Sequence, residues 1–538
     1  MKKIITSACI AGLAASSLSA GIISVTSDIT TDTTWTASNE YILTDIIFVK
    51  DGAKLTINPG TIVRGEPKSG GASFDPGTLV VTRSGQINAV GTASSPVVFT
   101  TAILESGASI NGQFSDESYD YSTAINYDSA ISGGAVFLDS DPIGSPLTPG
   151  FGYVTTAGSS AHVSADEYRS LWGGIILLGN APTNIMDISG DKLVASTKNS
   201  RADLDDIFEG FIEGLDPNDI LSNDGVYGGT NPNDSSGSLK YVSIRHGGTN
   251  IATDNEINGL TMGGVGYGTL IEYVEVYCNG DDGFEWFGGT VNTRFLISLY
   301  NNDDSFDIDE GFTGLGQFWF SLQLDDGVNG DHGGEHDGTN GNFDNADVGS
   351  VNGHTVAGTG DKGFGIPVTF PTIYNATYVN AGNGDNMLKF EDSFGGNYYN
   401  AVLVGSASQV VNASGTDMDD RIAAGDCDFV SNSLFYNING NSAALISSDL
   451  SDNTVMQTIL AANSNMYDGT NPFATLANNA VRASVDPRAT LAASGAMTLE
   501  PVTATFFVSA NYVGAFNPGE TTYWSDGWSV FAANVDNK

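Results

Sequence analysis

Two acidic clusters, Asp281-Asp282-x-x-Glu285 and Asp303-Asp304-x-x-Asp307, lie 22 residues apart in the stretch YCNGDDGFEWFGGTVNTRFLISLYNNDDSFDIDEG from Tyr277 to Gly311. If that repeat is structural, equivalent positions stack about 4.8 Å apart on successive rungs of a coil. Carboxylates held so close do not all stay ionised without a cation. Calcium takes six to eight oxygens in flexible geometry and suits such a set better than magnesium, which demands a strict octahedron. The plainer alternative is capping, each aspartate accepting a backbone N–H of its own turn. Doubled aspartate with a third acid beyond it exceeds what capping requires. Asp281, Asp282, Glu285, Asp303, Asp304 and Asp307 are therefore read as a calcium site.

The turn recurs downstream as GDHGGE from Gly330 and GDNMLK from Gly384, which brings Lys389 into the series. His332, Glu335 and His336 lie in DHGGEHDG, two histidines four residues apart. Glycines on both sides argue against the helix that a zinc-binding HExxH pair needs. A flexible loop, or more calcium through Asp331 and Asp337, is favoured over a transition-metal site. His246 closes the run SIRH and is read as a satisfied turn histidine. No Ser-His-Asp order, phosphate-cradling glycine loop or nucleotide fingerprint stands in a credible context.

The elements that must position these residues are short. Runs such as YVSIRH, LIEYVEVY, RFLISLY and FWFSLQL have the length and composition of buried strands, and each precedes a Gly/Asn/Asp turn. Repeats of 22–28 residues without helices leave a coil of strands and turns, a parallel β-helix. The leucine/asparagine pattern of leucine-rich repeats is missing, and propeller blades need roughly 40 residues each. The expected fold class is all-β, a right-handed coil, because right-handed crossovers dominate.

Along the chain, MKKIITSACIAGLAASSLSA reads as a secretory signal peptide over residues 1–20, with Cys9 too early to be a lipid-anchored cysteine. The coil is expected over 21–447, interrupted by insertions near 105–168 (carrying His162), 187–238 and 325–370. A short helix is expected near Asp203–Glu213. Residues 448–538 are expected to hold the last rungs and an aromatic cap ending in FFVSANYVGAFNPGETTYWSDGWSVF, whose tryptophans are read as packing.

The 538 residues carry a formal charge of −43. Such a surface repels nucleic acid and anionic membranes, and bound divalent cations would offset its self-repulsion. A solvated acidic surface suited to high salt is the other account. No later stretch reaches the ~18 apolar residues of a spanning helix, so an exported protein, secreted or surface-attached, is expected. Cys278 and Cys427, about five rungs or roughly 24 Å apart, are expected as buried free thiols.

From Leu239 to Val404 the rung order resembles calcium-dependent pectate lyases, whose N-x-D-D-G-F-D turn precedes an N-G-x-K-x-G turn. That resemblance implies a cation on Asp282, Asp303, Asp304 and Asp307, and Lys389 as the base that abstracts the proton next to a uronate carboxylate. Arg245 and Arg294 are the candidate grips for a polyuronate, Arg245 being placed with Lys389 in the candidate catalytic set. The whole chain is more similar to secreted bacterial β-helix proteins with WGGIILLGNAP, DGFEWFGG and a GAF…W…GW ending, which implies fold and export but no activity. Glu391 and Asp392 beside Lys389 would raise its pKa, where a base needs it lowered.

Three functions follow. The favoured one is a calcium-stabilised surface or matrix protein that binds extracellular polysaccharide. The others are a uronate-acting polysaccharide lyase and a glycoside hydrolase working through a carboxylate pair.

Overall fold

The computed structural model describes residues 21–67, 76–102, 169–184, 210–215, 223–249, 256–323, 330–338, 369–380, 386–405 and 411–414 without gaps, and shorter pieces of the rest up to residue 531. The expected signal peptide, His162 and most of the three expected insertions lie outside the described residues.

The described strands wind into a parallel β-helix. One wall is a ten-stranded sheet running from Ile46–Val49 through Ile175–Leu178, Leu260–Gly263, Phe284–Phe287, Phe306–Asp309, Gly334–Asp337 and Leu388–Glu391 to Ile446–Ser448. An 18-stranded sheet supplies the other walls, with Gly237–Arg245, Leu270–Tyr277, Thr293–Leu299 and Leu315–Gln323 stacked in parallel. Two expectations change locally. Gly334–Asp337 is a rung of the ten-stranded sheet and not part of a looped-out insertion, because Gly334 and His336 face inward as strand residues must. Gly210–Phe211, at the end of the expected helix, pairs as a strand with Val226–Tyr227.

Strand alternation explains how such polar sequence makes sheet. In FEWF, FDID, GEHD and LKFE every second residue enters the coil and the others face outward. The inward Phe284, Trp286, Phe306 and Ile308 belong to the main core. Trp286 stacks on Trp319 at 5.0 Å and Phe306 on Trp319 at 4.9 Å. Each such ring contributes about 1.5–3 kcal/mol by burial, and each stacked pair about 0.5–1.5 kcal/mol more. The acidic strands are thus fixed from inside.

Two corners steer the chain. At the first, Tyr241, Tyr273, Phe295 and Phe318 adopt φ of 50, 57, 59 and 57°, and their rings stack at 4.5, 4.3 and 4.9 Å. Left-handed backbone costs roughly 1–2 kcal/mol per residue, which the ring column offsets. At the second, His246, Cys278 and Tyr300 adopt φ of 64, 54 and 58° and turn the chain from the 18-stranded sheet toward the acidic turns. His246 is a buried turn residue there, edge-on to Tyr277. Cys278 and Cys427 are buried thiols outside any disulfide.

The aromatic C-terminal segment covers apolar surface along the flank of the coil and not only at its last rung. Its backbone is held by a row of amides at the first corner. Asn432 donates to Thr498 O, Asn375 to Tyr512 O, and Asn400 both donates to Glu500 O and accepts its N–H, all at 2.8 Å. The buried Glu275 accepts the N–H groups of Val530 and Phe531 at 2.8 and 3.2 Å. Trp528 is buried against Tyr241 and Tyr273, so it packs. The helix Asn453–Ala462 places Met456 and Leu460 in the core near the last rungs.

Candidate functional site

The recurring turns align in space as they do in sequence. Strand register pairs Phe284 with Phe306, Asp307 with Glu335 and Gly334 with Leu388, so the segments from Gly280, Asn302 and Gly330 and the strand that carries Lys389 lie on successive rungs. Asp281, Asp282, Asp303 and Asp304 occupy turns. Glu285 and Asp307 do not: they are outward-facing strand residues, paired across neighbouring rungs. Their outward column runs Phe48, Val80, Ile176, Thr261, Glu285, Asp307, Glu335, Lys389, Asn412. Its apolar start is covered by Phe211, Ile212, Val226 and Tyr227. Its middle is acidic, and Lys389 closes the acidic run.

A ladder of side chains ties the turns together. Asn258 Oδ1 accepts the N–H of Asp282, Asp282 Oδ1 that of Asp304, and Asp304 Oδ1 that of His332, at 3.2, 2.8 and 2.5 Å. The aspartates do cap, but the next rung's backbone and not their own turn, and with one carboxyl oxygen each. Three groups bring one donor atom from each residue within 4.8 Å of the others: Asp281–Asp282–Asp303, Asp282–Glu285–Asp307 and Asp304–His332–Glu335. A fourth such group is Glu335–Asp337–Glu391.

The electrostatics match the crowding. Burial first, and then repulsion from Glu213, Asp303 and neighbouring acids, lifts Asp281 to about 8. Asp282, Glu285 and Asp307 are pushed well above the ordinary carboxylate range by the same two causes. Asp303 is raised by burial and by Asp331 and Glu335. Burial lifts Asp304 to about 8 against the pull of His332. His332 loses charge to burial, but its hydrogen bond to Asp304 and the nearby acids outweigh that and carry it to about 9. Three of the four groups are all-oxygen, and the two that share Asp282 hold carboxyls that resist ionising together, a donor set that fits a hard divalent cation.

Lys389 shares the sheet and column of the acids. Its Nζ lies 2.6 Å from Glu335 and 3.0 Å from Glu391. Burial disfavours its charge, yet these two bonds win and hold the ammonium above its ordinary value. Arg245 lies on the 18-stranded sheet, its Nε donating to Ser243 Oγ at 2.8 Å. Arg294 pairs with Glu272 and donates to Phe506 O at 3.0 Å, bracing the C-terminal segment. His336 turns into the core, its Nε2 2.5 Å from the hydroxyl of Tyr398. Burial drives it down to about 3, so it is neutral.

Sequence reasoning missed Glu213 and Asn258. Asn258 Nδ2 donates to Glu213 Oε1 at 3.2 Å and also to Glu285, so the segment around Glu213 adds a carboxylate to the cluster from outside the repeat. It also missed the outward-facing Asp309, although the alternation of FDID carries that signal.

A family described as pectate-lyase-like beta helix domain matches residues 27–112 and 221–478, well over half of the chain. No curated protein and no solved structure matches it.

Proposed function

Since the chain belongs to the pectate-lyase-like β-helix domain family, and so to a group tied broadly to polysaccharide, we propose that it is an exported, calcium-stabilised protein that binds extracellular polysaccharide or mediates contact at a cell surface or matrix. The observation that carries this is the pair of all-oxygen carboxyl triads that share Asp282 across neighbouring rungs. Asp282, Glu285 and Asp307 would hold the cation, with Asp281 and Asp303 at the turn. Bound there, calcium supplies the positive charge that lets these carboxylates ionise together and that attracts acidic or hydroxyl-rich sugars. The chain's own part is positional. The ladder from Asn258 to His332 fixes the turns, and Trp286, Phe306 and Trp319 fix the strands behind them. No helix among the described residues is long and apolar enough to cross a membrane. A glycan array probed with and without calcium tests the proposal. Calcium-dependent retention that Asp282→Asn and Asp307→Asn abolish is expected, and retention indifferent to calcium and to both variants contradicts it.

A second function, a calcium-dependent polysaccharide lyase, is favoured by one observation: Lys389 stands in the same outward column as Glu285 and Asp307. Its ion pairs with Glu335 and Glu391 weigh against it, because a general base must give up its proton near the working pH. Release of unsaturated product from pectate or alginate, lost in Lys389→Ala, would establish it.

A further inference from the structure

The acidic face is not uniform. Asp304 belongs only to the group that contains an imidazole, whereas Asp282, Glu285 and Asp307 are joined by oxygen alone. His332 is 3% exposed, and its Nδ1 faces three carboxylates: Asp304 at 3.0 Å from the rung before, Asp331 at 3.6 Å from its own turn, and Glu335 at 3.6 Å from the strand that follows. The neighbouring His336 is removed from the set, because its ring lies in the core, stacked on Tyr398. One nitrogen thus enters an otherwise carboxylate shell. One carboxyl oxygen of Asp304, one of Glu335 and a ring nitrogen of His332 lie within 4.8 Å of one another.

We propose that Asp304, His332 and Glu335 form a second cation site, of different chemistry from the all-oxygen groups, that takes a borderline divalent transition ion of zinc's class. Imidazole nitrogen suits zinc, copper, iron and nickel, while calcium takes oxygen. A His-plus-two-carboxylate set leaves at least one position of a tetrahedral ion open, as in sites that bind water or a ligand oxygen. The backbone already fixes two of the three donors. Asp304 Oδ1 receives the His332 N–H, and Glu335 follows three residues later at the start of a strand held between two others. The site does not depend on calcium being bound next to it.

The test uses the full chain, freed of metal by dialysis, with Co2+ as a spectroscopic probe and Zn2+ and Ca2+ as competitors. Co2+ is expected to give the visible d–d absorption of a nitrogen-containing site, bleached by stoichiometric Zn2+ and persisting in excess Ca2+. His332→Ala is expected to lose that spectrum and to weaken zinc binding beyond the roughly 10–100-fold that changes outside the ligand shell cost. Should His332→Ala fail to fold by circular dichroism, Glu335→Gln is read instead, with a shifted spectrum and weakened zinc expected. No such spectrum in the native protein, a spectrum unchanged in the folded His332 or Glu335 variant, or displacement of Co2+ by equimolar Ca2+ would overturn the proposal. In the last two outcomes His332 is only an internal imidazolium balancing the acids.

Discussion

Metal-free protein should lose stability as the pH rises from about 4 to about 9, the reverse of ordinary acid denaturation. Burial and mutual repulsion lift Asp281 and Asp304 to about 8 and Asp337 to about 9, from 3.8 for an unburied aspartate. Each of these carboxyls binds its proton more tightly in the folded chain than in the unfolded one. Their contribution is therefore complete below the unfolded value near 4 and is lost as pH rises through the folded values of about 8–9. One pKa unit corresponds to about 1.4 kcal/mol, so a single unit retained by each of the three already amounts to about 4 kcal/mol. A domain's whole stability is only about 5–15 kcal/mol. The assay is denaturant unfolding of dialysed protein at about pH 5, 7 and 9, with and without calcium. The midpoint should fall with pH in the metal-free series and flatten when calcium replaces the missing protons. A metal-free midpoint that is constant or rises from pH 5 to 9 would refute the reasoning.

Other outcomes follow from the same structure. Trp286→Ala removes a fully buried ring stacked on Trp319, and chemical denaturation should register a loss of about 3–5 kcal/mol. Asn400→Ala deletes both 2.8 Å bonds to Glu500 and should cost about 1–3 kcal/mol, with limited proteolysis cutting the C-terminal segment first. Glu272 feels burial, but hydrogen bonds from Arg294 and Lys240 outweigh it and lower its pKa. Its stabilisation is present above pH ~4.5 and fades in acid, so Glu272→Gln should melt lower than the native protein near neutrality, with the difference shrinking as the pH falls below ~4.5. Lys389→Ala strips the counter-charge from Glu335 and Glu391 and should raise cation affinity while lowering metal-free stability, as calorimetry and melting curves would record.

Much of the fold was legible because a repeated strand and turn admits few architectures. The 22-residue offset between Asp281 and Asp303 is the register itself, seen again where the Asp304 N–H meets Asp282. What stayed hidden has physical causes. Gly334–Asp337 reads as a loop in sequence because its inward residues are glycine and histidine, and His336 is accepted in the core through the Tyr398 hydroxyl and the Glu335 carbonyl. Glu285 and Asp307 read as turn residues because they follow the doubled aspartates so closely, although the alternation in FEWF and FDID marks them as outward strand residues. Glu213 could not be found from the repeat, because it reaches the cluster from a segment that is not part of it. The flank position of the last residues depends on amides at Asn375, Asn400 and Asn432, single polar residues at a corner that carry no signature of a docking surface.

The central claim is that the all-oxygen carboxyl groups hold calcium, and calorimetric titration of metal-free protein with Ca2+ near neutral pH tests it most directly. Saturable binding is expected, with proton release as Asp281, Asp282 and Asp307 ionise, and it should disappear in a folded variant carrying Asp282→Asn with Asp307→Asn. Absence of saturable binding by native protein, or binding unchanged in that double variant, would contradict the account.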